Sequence, residues 1–562
     1  MSLNKYGGYI SKIRFNNSEE VSIKNDDIII FVGPNNAGKS QALKDIFLLT
    51  AEKVPTMVVS DIELVKYNSD VEDFLKGFSQ VTDRGDHRYY SVLGTGLNIY
   101  GFTKSNFMSA YSFENFRGVF VANLDTSARL SICNPADNIA RSAEKRHPIH
   151  YASFDSRYRK WLSENFSQAF GVELIPNTQF GGKIPLCIGK QVKFNNDFED
   201  EQSRLEAYAE VLGGYEQVHK QGDGVKSFTG ILLYLMMDNY CIYLIDEPES
   251  FLHPPQARIM GQVMGRTLSK GQQAFISTHS EEIIKGLMDV CPQRIKIIRI
   301  TRDGNINKFS ILDNMDFNNL WSEPLLKYSN IMSSIFHKTV VLCESDSDCK
   351  MYSTIERYLK QSIGRYSETL FVHCSGKHRM GRIAKALRAL NVEVKLIADI
   401  DVLNDENVFR SIIQALGIDW NLMAREYRVI VSNLHSPKEK INRNDVAFEI
   451  NRVLSSSKES YLKTQEIKEI KEMVSLISKW DNLKTFGVSA IPRGDATVAF
   501  ESMNKILVNA GIYIVPVGEM ECFVKSIGGH GPEWVDRVLE SYPDLADPVY
   551  NELRSFIESM NL

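Results

Sequence analysis

Short apolar runs, each ending on a small or acidic residue and followed by a helical pattern, recur along this chain. Residues 27–32, 241–245 and 273–277 are near-continuous Ile, Val, Phe, Tyr and Leu runs, the pattern of parallel strands buried on both faces. Residues 339–343, 393–398 and 512–516 form a second set of the same kind. Between the last two, the stretch from Lys458 to Ile477 alternates Lys and Glu with apolar residues at helical spacing, which predicts a surface helix. Residues 51–214 mix strand-like and helical stretches with turn signals such as Leu93-Gly94-Thr95-Gly96, and nothing there points to chemistry. No repeat of fixed period and no extended low-complexity tract interrupts the pattern. The greasiest stretch, residues 231–237, is far too short to span a bilayer, and the first eight residues lack the apolar core of a signal peptide.

With 562 residues the chain is too long for one hydrophobic core, so two to four domains are expected. Hydrophobic residues at 43% and charged residues at 24% argue against global disorder. Lys+Arg 65 against Asp+Glu 70 gives a formal charge of −5, which excludes a polycation but leaves room for a local basic groove. The eight cysteines contain no CxxC pair, so neither a zinc ribbon nor a disulfide framework is expected, and a reducing cytoplasm fits best.

Chemistry enters where the strands end. Gly33-Pro34-Asn35-Asn36-Ala37-Gly38-Lys39-Ser40 fits the phosphate-binding pattern GxxxxGK[ST] between a strand and an amphipathic helix. Gly33, Asn35, Asn36 and Gly38 would turn backbone N–H groups toward ATP phosphates, Lys39 would reach the β/γ-phosphates, and Ser40 would ligate Mg²⁺. Asp246-Glu247-Pro248-Glu249 ends another strand, with Asp246 placed for Mg²⁺ and Glu247 for orienting or deprotonating the attacking water. A third strand ends in Ser277-Thr278-His279-Ser280, where His279 can sense the γ-phosphate. The string Asp246-Glu247-Pro248-Glu249-Ser250-Phe251-Leu252-His253-Pro254, together with this Ser-Thr-His-Ser element, resembles the ABC-type ATPase heads of the OLD (overcoming lysogenization defect) family. Such heads work in pairs, each ATP closed between the Walker loop of one subunit and a Gly-rich loop of the other. The candidate for that loop is the segment with Gly222 and Gly224, for which an ordinary helix-entry turn is the competing reading.

Acids also end the second set of strands. Glu344 and Asp348 follow the first, Asp399 and Asp401 the second, and Glu519 and Glu521 the third. In an open parallel sheet these would converge at one edge, and oxygen donors without His or Cys select Mg²⁺ or Mn²⁺. The order Glu, then Asp-x-Asp, resembles the Toprim domain, and Gly518-Glu519-x-Glu521 resembles its OLD version. By that resemblance all six acids are metal ligands, Glu344 can serve as acid/base, and a late lysine near the scissile phosphate maps nearest to Lys525. Between the first two acidic motifs lies a basic run with Lys377, Arg379, Arg382, Lys385 and Arg388. The last three share one helix face, as a DNA phosphate track requires.

The expected fold is α/β. An ABC-type P-loop ATPase head (residues 1–50 and 215–325) carries a helical and β insertion at 51–214, in which the family resemblance implies a dimerisation element, and a Toprim domain with a Rossmann-like parallel sheet follows at 335–562. The resemblance implies an ATP-hydrolysing, Mg²⁺-dependent DNA endonuclease, acting as a homodimer or higher oligomer in bacterial anti-phage defence. Its partner would be a helicase in a Gabija-like system, or a reverse transcriptase with its hybrid nucleic acid in a retron. The alternative is an ATP-driven DNA clamp or scaffold whose Toprim fold is catalytically silent.

Overall fold

The parallel strands expected from the apolar runs form two sheets, one in each of two units, Met1–Phe336 and His337–Leu562. The computed structural model describes residues 6–67, 75, 79–84, 87–92, 97–100, 104–143, 145–192, 194, 198, 200–237, 239–304, 306–312, 330–389, 391–434, 443–455, 461–463, 466–467, 470 and 479–562. The turn expected at Leu93-Gly94-Thr95-Gly96 and most of the helix expected over 458–477 lie outside the described residues.

In the first unit, six strands are labelled β1 (Ile28–Val32), β2 (Val121–Leu124), β3 (Ile242–Asp246), β4 (Gln273–Ser277), β5 (Ile295–Asp303) and β6 (Ile306–Leu312). Their order across the sheet is β6-β5-β1-β4-β3-β2. All neighbours are parallel except β5 and β6, an antiparallel pair at one edge. Every side chain of β1 and β4 is buried, which is why these strands read as continuous apolar runs rather than alternating ones. Gln273, at the start of β4, exchanges hydrogen bonds with both backbone groups of Ile10 at 2.8 and 2.9 Å. It thereby ties the small antiparallel sheet of Glu20–Ser22, Gly8–Phe15 and Val59–Lys66 to the central one. Strand β2 lies inside the segment expected as an insertion, yet it pairs along the Walker-type strand β3.

The second unit holds β7 (Thr339–Cys343), β8 (Thr369–His373), β9 (Glu393–Ala398) and β10 (Ile512–Ile514), all parallel, in the order β8-β7-β9-β10. Trp534, Tyr352 and Tyr550 are fully buried in its core beside Val341, each large side chain contributing about 1.5–3 kcal/mol on burial. Because all four strands run the same way, the three that end in acids deliver them to one edge of the sheet.

All eight cysteines are free thiols, and all but Cys522 are buried. Burial pushes the Cys133 and Cys241 thiols up to about 12 and raises those of Cys343 and Cys374 as well. No helix among the described residues is long and apolar enough to cross a membrane.

Candidate nucleotide and metal sites

Strand β1 ends in the loop before helix α1 (Lys39–Leu49). Gly33 has φ +136°, and a Cβ there would sit 2.0 Å from the carbonyl oxygen of Ile300, so only glycine fits. Asn36 and Gly38 also have positive φ, at 59° and 104°. The N-terminus of α1 receives no side-chain cap, leaving its first N–H groups for an anion. Lys39 is buried and folds back onto the carbonyls of Gly33 and Pro34 at 3.0 and 2.8 Å. Burial lowers its ammonium to about 8, against the charges of Glu247, Asp246 and Glu249.

At the end of β3, Asp246 Oδ1 accepts hydrogen bonds from Ser40 Oγ at 2.7 Å and from Ser277 Oγ. The two residues expected to hold Mg²⁺ at the nucleotide, Ser40 and Asp246, are therefore adjacent. Glu247 is held at φ +46°, an uncommon conformation for a non-glycine residue. Its N–H donates to Ser277 O at 2.9 Å and its carboxylate accepts from Ser250 Oγ at 3.2 Å. His279 is half-buried, and burial followed by the Lys39 charge holds it below its ordinary range. Gly222 caps helix α2 (Asp223–Leu235), and the backbone at Gly224 packs so closely on Phe251 that a Cβ would lie 2.5 Å from its carbonyl oxygen.

Two residues of this site carried no functional reading in the sequence. Arg129 is fully buried and donates from Nη1 to the Asp246 carbonyl and, at 3.4 Å, to that of Leu124, stitching β2 to β3 where β3 delivers its acids. Glu249 accepts the backbone N–H of His279 at 2.7 Å, and burial raises its carboxyl above the usual range. These contacts join two strand ends through groups that carry no local sequence signal.

In the second unit the six expected acids form one electrostatic cluster. Glu344 follows β7 and its Oε1 accepts from the Asp399 N–H at 3.3 Å. Burial and then the charge of Asp401 push Glu344 up to about 7. Asp348 lies in the first turn of helix α3 (Asp346–Ser362) and forms a reciprocal capping box with Ser345, at 2.8 and 3.2 Å. Burial raises it, and Glu521 adds to the effect. Asp399, at the end of β9, is pushed well above the carboxylate range by burial and by Glu344, Asp348, Asp401 and Glu519. Burial and Glu521 likewise raise Glu519. Asp401 differs: burial alone would raise it, but ion pairs with Lys377 at 2.8 Å and Lys484 at 2.7 Å outweigh that and hold it low. Acids whose charges act on one another in this way, all offering hard oxygen donors, are chemically suited to a divalent cation.

Gly518 fixes the geometry of the last motif. Its φ is +110°, a Cβ would fall 1.9 Å from the carbonyl oxygen of Lys484, and its own carbonyl accepts the Ile400 N–H at 3.0 Å. Helix α5 (Lys479–Phe486) is thereby docked with Lys484 against Asp401. Lys525 is exposed and forms no ion pair among the described residues, so the lysines brought to the acids are Lys377 and Lys484. Lys484 lies more than a hundred residues beyond Lys377 with no motif around it, and sequence reasoning passed over it.

Helix α4 (Lys377–Ala389) buries Met380, Ile383, Ala384 and Leu387 and exposes Arg379, Arg382, Lys385 and Arg388. Lys377 turns inward to Asp401, and Arg388 leans on the carbonyl of Ala415 at 3.4 Å. The basic face thus starts at the acid cluster.

A P-loop site in one unit and a carboxylate cluster on a parallel sheet in the other define the class of an ATPase joined to a Toprim-type domain. A model of an AAA domain (putative AbiEii toxin, type IV toxin–antitoxin system) matches residues 129–285. A model of the overcoming lysogenization defect protein-like Toprim domain matches residues 335–401. The Old nuclease of Escherichia phage P2 is 20% identical over 333 residues, covering 56% of this chain and 50% of that protein. The chain thus matches about half the length of this curated relative. Among solved structures, an SMC head domain from Thermotoga maritima is 12% identical with a TM-score of 0.28, over 54% of this chain and 99% of that one. The cbiO1 structure from Clostridium perfringens, part of an ABC transporter complex, is 11% identical with a TM-score of 0.28, over 56% and 91%. The chain is thus similar to an AAA-type ATPase domain and to an OLD-like Toprim domain, in the order in which the two units follow one another.

Proposed function

We propose that the protein is an ATP-binding and ATP-hydrolysing DNA endonuclease that depends on Mg²⁺ or Mn²⁺, acts as a homodimer, and serves bacterial defence against phage. The observation that carries this reading is the mutual electrostatic coupling of Glu344, Asp348, Asp399, Asp401, Glu519 and Glu521 at the strand ends, beside two lysines and a basic helix. Bound divalent ions would supply the activation of water and the neutralisation of the leaving oxygen. The chain's own groups do the rest. Glu344, whose Oε1 accepts the Asp399 N–H at the end of the neighbouring strand, is the acid placed to hold or pass a proton. Lys377 and Lys484 keep Asp401 ionised and bring positive charge to the place a phosphate would occupy. Arg379, Arg382 and Lys385 offer the duplex backbone a track leading there.

At the nucleotide site, the backbone around Gly33 to Ser40 would cradle the phosphates and Lys39 would exchange loop carbonyls for phosphate oxygens. Glu247 would orient the attacking water, with His279 behind it. The Gly222–Gly224 segment, at a helix start that no side chain caps, is the surface offered to a second subunit's nucleotide.

The test is plasmid cleavage with Mg²⁺ or Mn²⁺, with and without ATP. Asp399→Ala combined with Asp401→Ala is expected to abolish nicking while ATP still binds, and Lys39→Ala to abolish ATP binding. Full nicking by the double Asp variant would remove the Toprim assignment. DNA bound by the wild type but left uncut under both ions would favour the scaffold reading.

A further inference from the structure

Among the described residues, one group of three acidic or histidine side chains has its ligand atoms mutually within 4.8 Å: Glu519, Glu521 and His530. The first two belong to the acid cluster; the imidazole does not, and no motif marks it. His530 Nδ1 lies 3.5 Å from Glu519 Oε1 and 3.8 Å from Glu521 Oε1. Neighbouring donors each ~2.1 Å from one ion are about 3.0 Å apart in octahedral and about 3.4 Å in tetrahedral coordination, so the two His530 spacings need to close by less than about 1 Å to share an ion with the glutamates.

The loop that presents His530 is built in place. The Gly531 N–H donates to Glu521 Oε1 at 2.9 Å, so the glutamate and the histidine-bearing turn are fixed to each other. Behind it, the fully buried Trp534 donates from Nε1 to Ile527 O at 2.8 Å, and Arg537 donates to Gly528 O at 2.7 Å. The imidazole itself is three-quarters exposed, with room for water or a phosphate oxygen on an ion's remaining positions.

We propose that His530 is a direct ligand of a divalent ion held with Glu519 and Glu521, and that this nitrogen makes the position select a first-row transition ion such as Mn²⁺ over Mg²⁺. Imidazole suits Zn²⁺, Fe²⁺ and Ni²⁺ best; Mn²⁺, the weakest of the first-row ions for nitrogen, still accepts it more readily than Mg²⁺, which takes oxygen donors almost exclusively. The inference rests on the reading of the acid cluster as a metal site, and refines which ion it takes.

The experiment uses the full-length protein without nucleotide and Mn²⁺ as the probe. Binding is titrated by electron paramagnetic resonance, and pulsed spectra are searched for ¹⁴N coupling from a ligating imidazole. The wild type is expected to show that coupling; His530→Ala is expected to lose it and to bind Mn²⁺ about ten- to a hundredfold more weakly, with Mg²⁺ binding far less affected. His530→Asp, which restores an oxygen donor, is expected to recover divalent binding without the nitrogen signal and with a narrowed preference for Mn²⁺. Because the side chain is exposed, these variants should keep the wild-type melting temperature. Mn²⁺ bound equally by wild type and His530→Ala, or without ¹⁴N coupling, would overturn the histidine ligand and leave the acid cluster standing. No Mn²⁺ bound by the wild type would overturn both.

Discussion

At the scale of single residues, the acid cluster has a proton balance that can be read in stability. Folding raises the Glu344 carboxyl from 4.5 to about 7, so the folded protein holds that proton more tightly than the unfolded chain. Its contribution is fully present below 4.5 and is lost as pH rises through about 7. Asp348, Asp399 and Glu519 shift in the same direction; Asp401, held low by Lys377 and Lys484, acts in the opposite sense but only below its ordinary range, outside that window. The metal-free His337–Leu562 unit should therefore melt at a higher temperature at about pH 6 than at about pH 8, and a divalent ion should stabilise it more at the higher pH. Glu344→Gln should flatten this dependence, and a calorimetric pH series checks it.

At the scale of elements, helix α4 divides its labour by face. Its apolar side packs inward, Lys377 pairs with Asp401 at one end, and Arg379, Arg382 and Lys385 remain exposed. Replacing Arg382 and Lys385 by Ala should weaken DNA binding across sequences and reduce the slope of log affinity against log salt by about 2, one per phosphate contact. A fluorescence titration at several salt concentrations reads both effects. The same elements mark how far the sequence could be followed. Strands β1, β3, β4, β7 and β10 were legible because burial on both faces leaves a largely apolar run, and β9 because its last three residues, Leu396 to Ala398, do the same. The acids were legible because they follow those runs directly. Strand β2 has four residues and sits amid mixed composition, so it gave no such signal. Strand β8 ends in His373 rather than an acid, which left it unmarked. Arg129, Lys484 and His530 owe their places to contacts 117, 83 and 11 residues away in sequence, to Asp246, Asp401 and Glu519. A buried arginine, a lone helical lysine and a histidine in a glycine-rich turn look locally like surface residues.

At the scale of the whole molecule, two units with separate cores hold the two candidate sites, and a ligand bound at either would stabilise the fold that holds it. A calorimetric scan should show two transitions. ATP should raise the one belonging to Met1–Phe336, and Mn²⁺ without nucleotide the one belonging to His337–Leu562. Lys39→Ala should erase the first shift and keep the second; if ATP shifted both in that variant, the assignment of the nucleotide to the P-loop would fail. The cysteines of this molecule bear on how such openings can be timed. Seven thiols are enclosed, and Cys133, Cys241, Cys343 and Cys374 are also held far from ionisation, so an alkylating reagent has little to attack until a segment swings out. Cys343 directly precedes Glu344, at the tip of the strand that delivers it. The pace at which that sulfur becomes modified is thus a chemical clock for the moments when the acid cluster comes apart, and whatever slows the clock is holding the cluster shut.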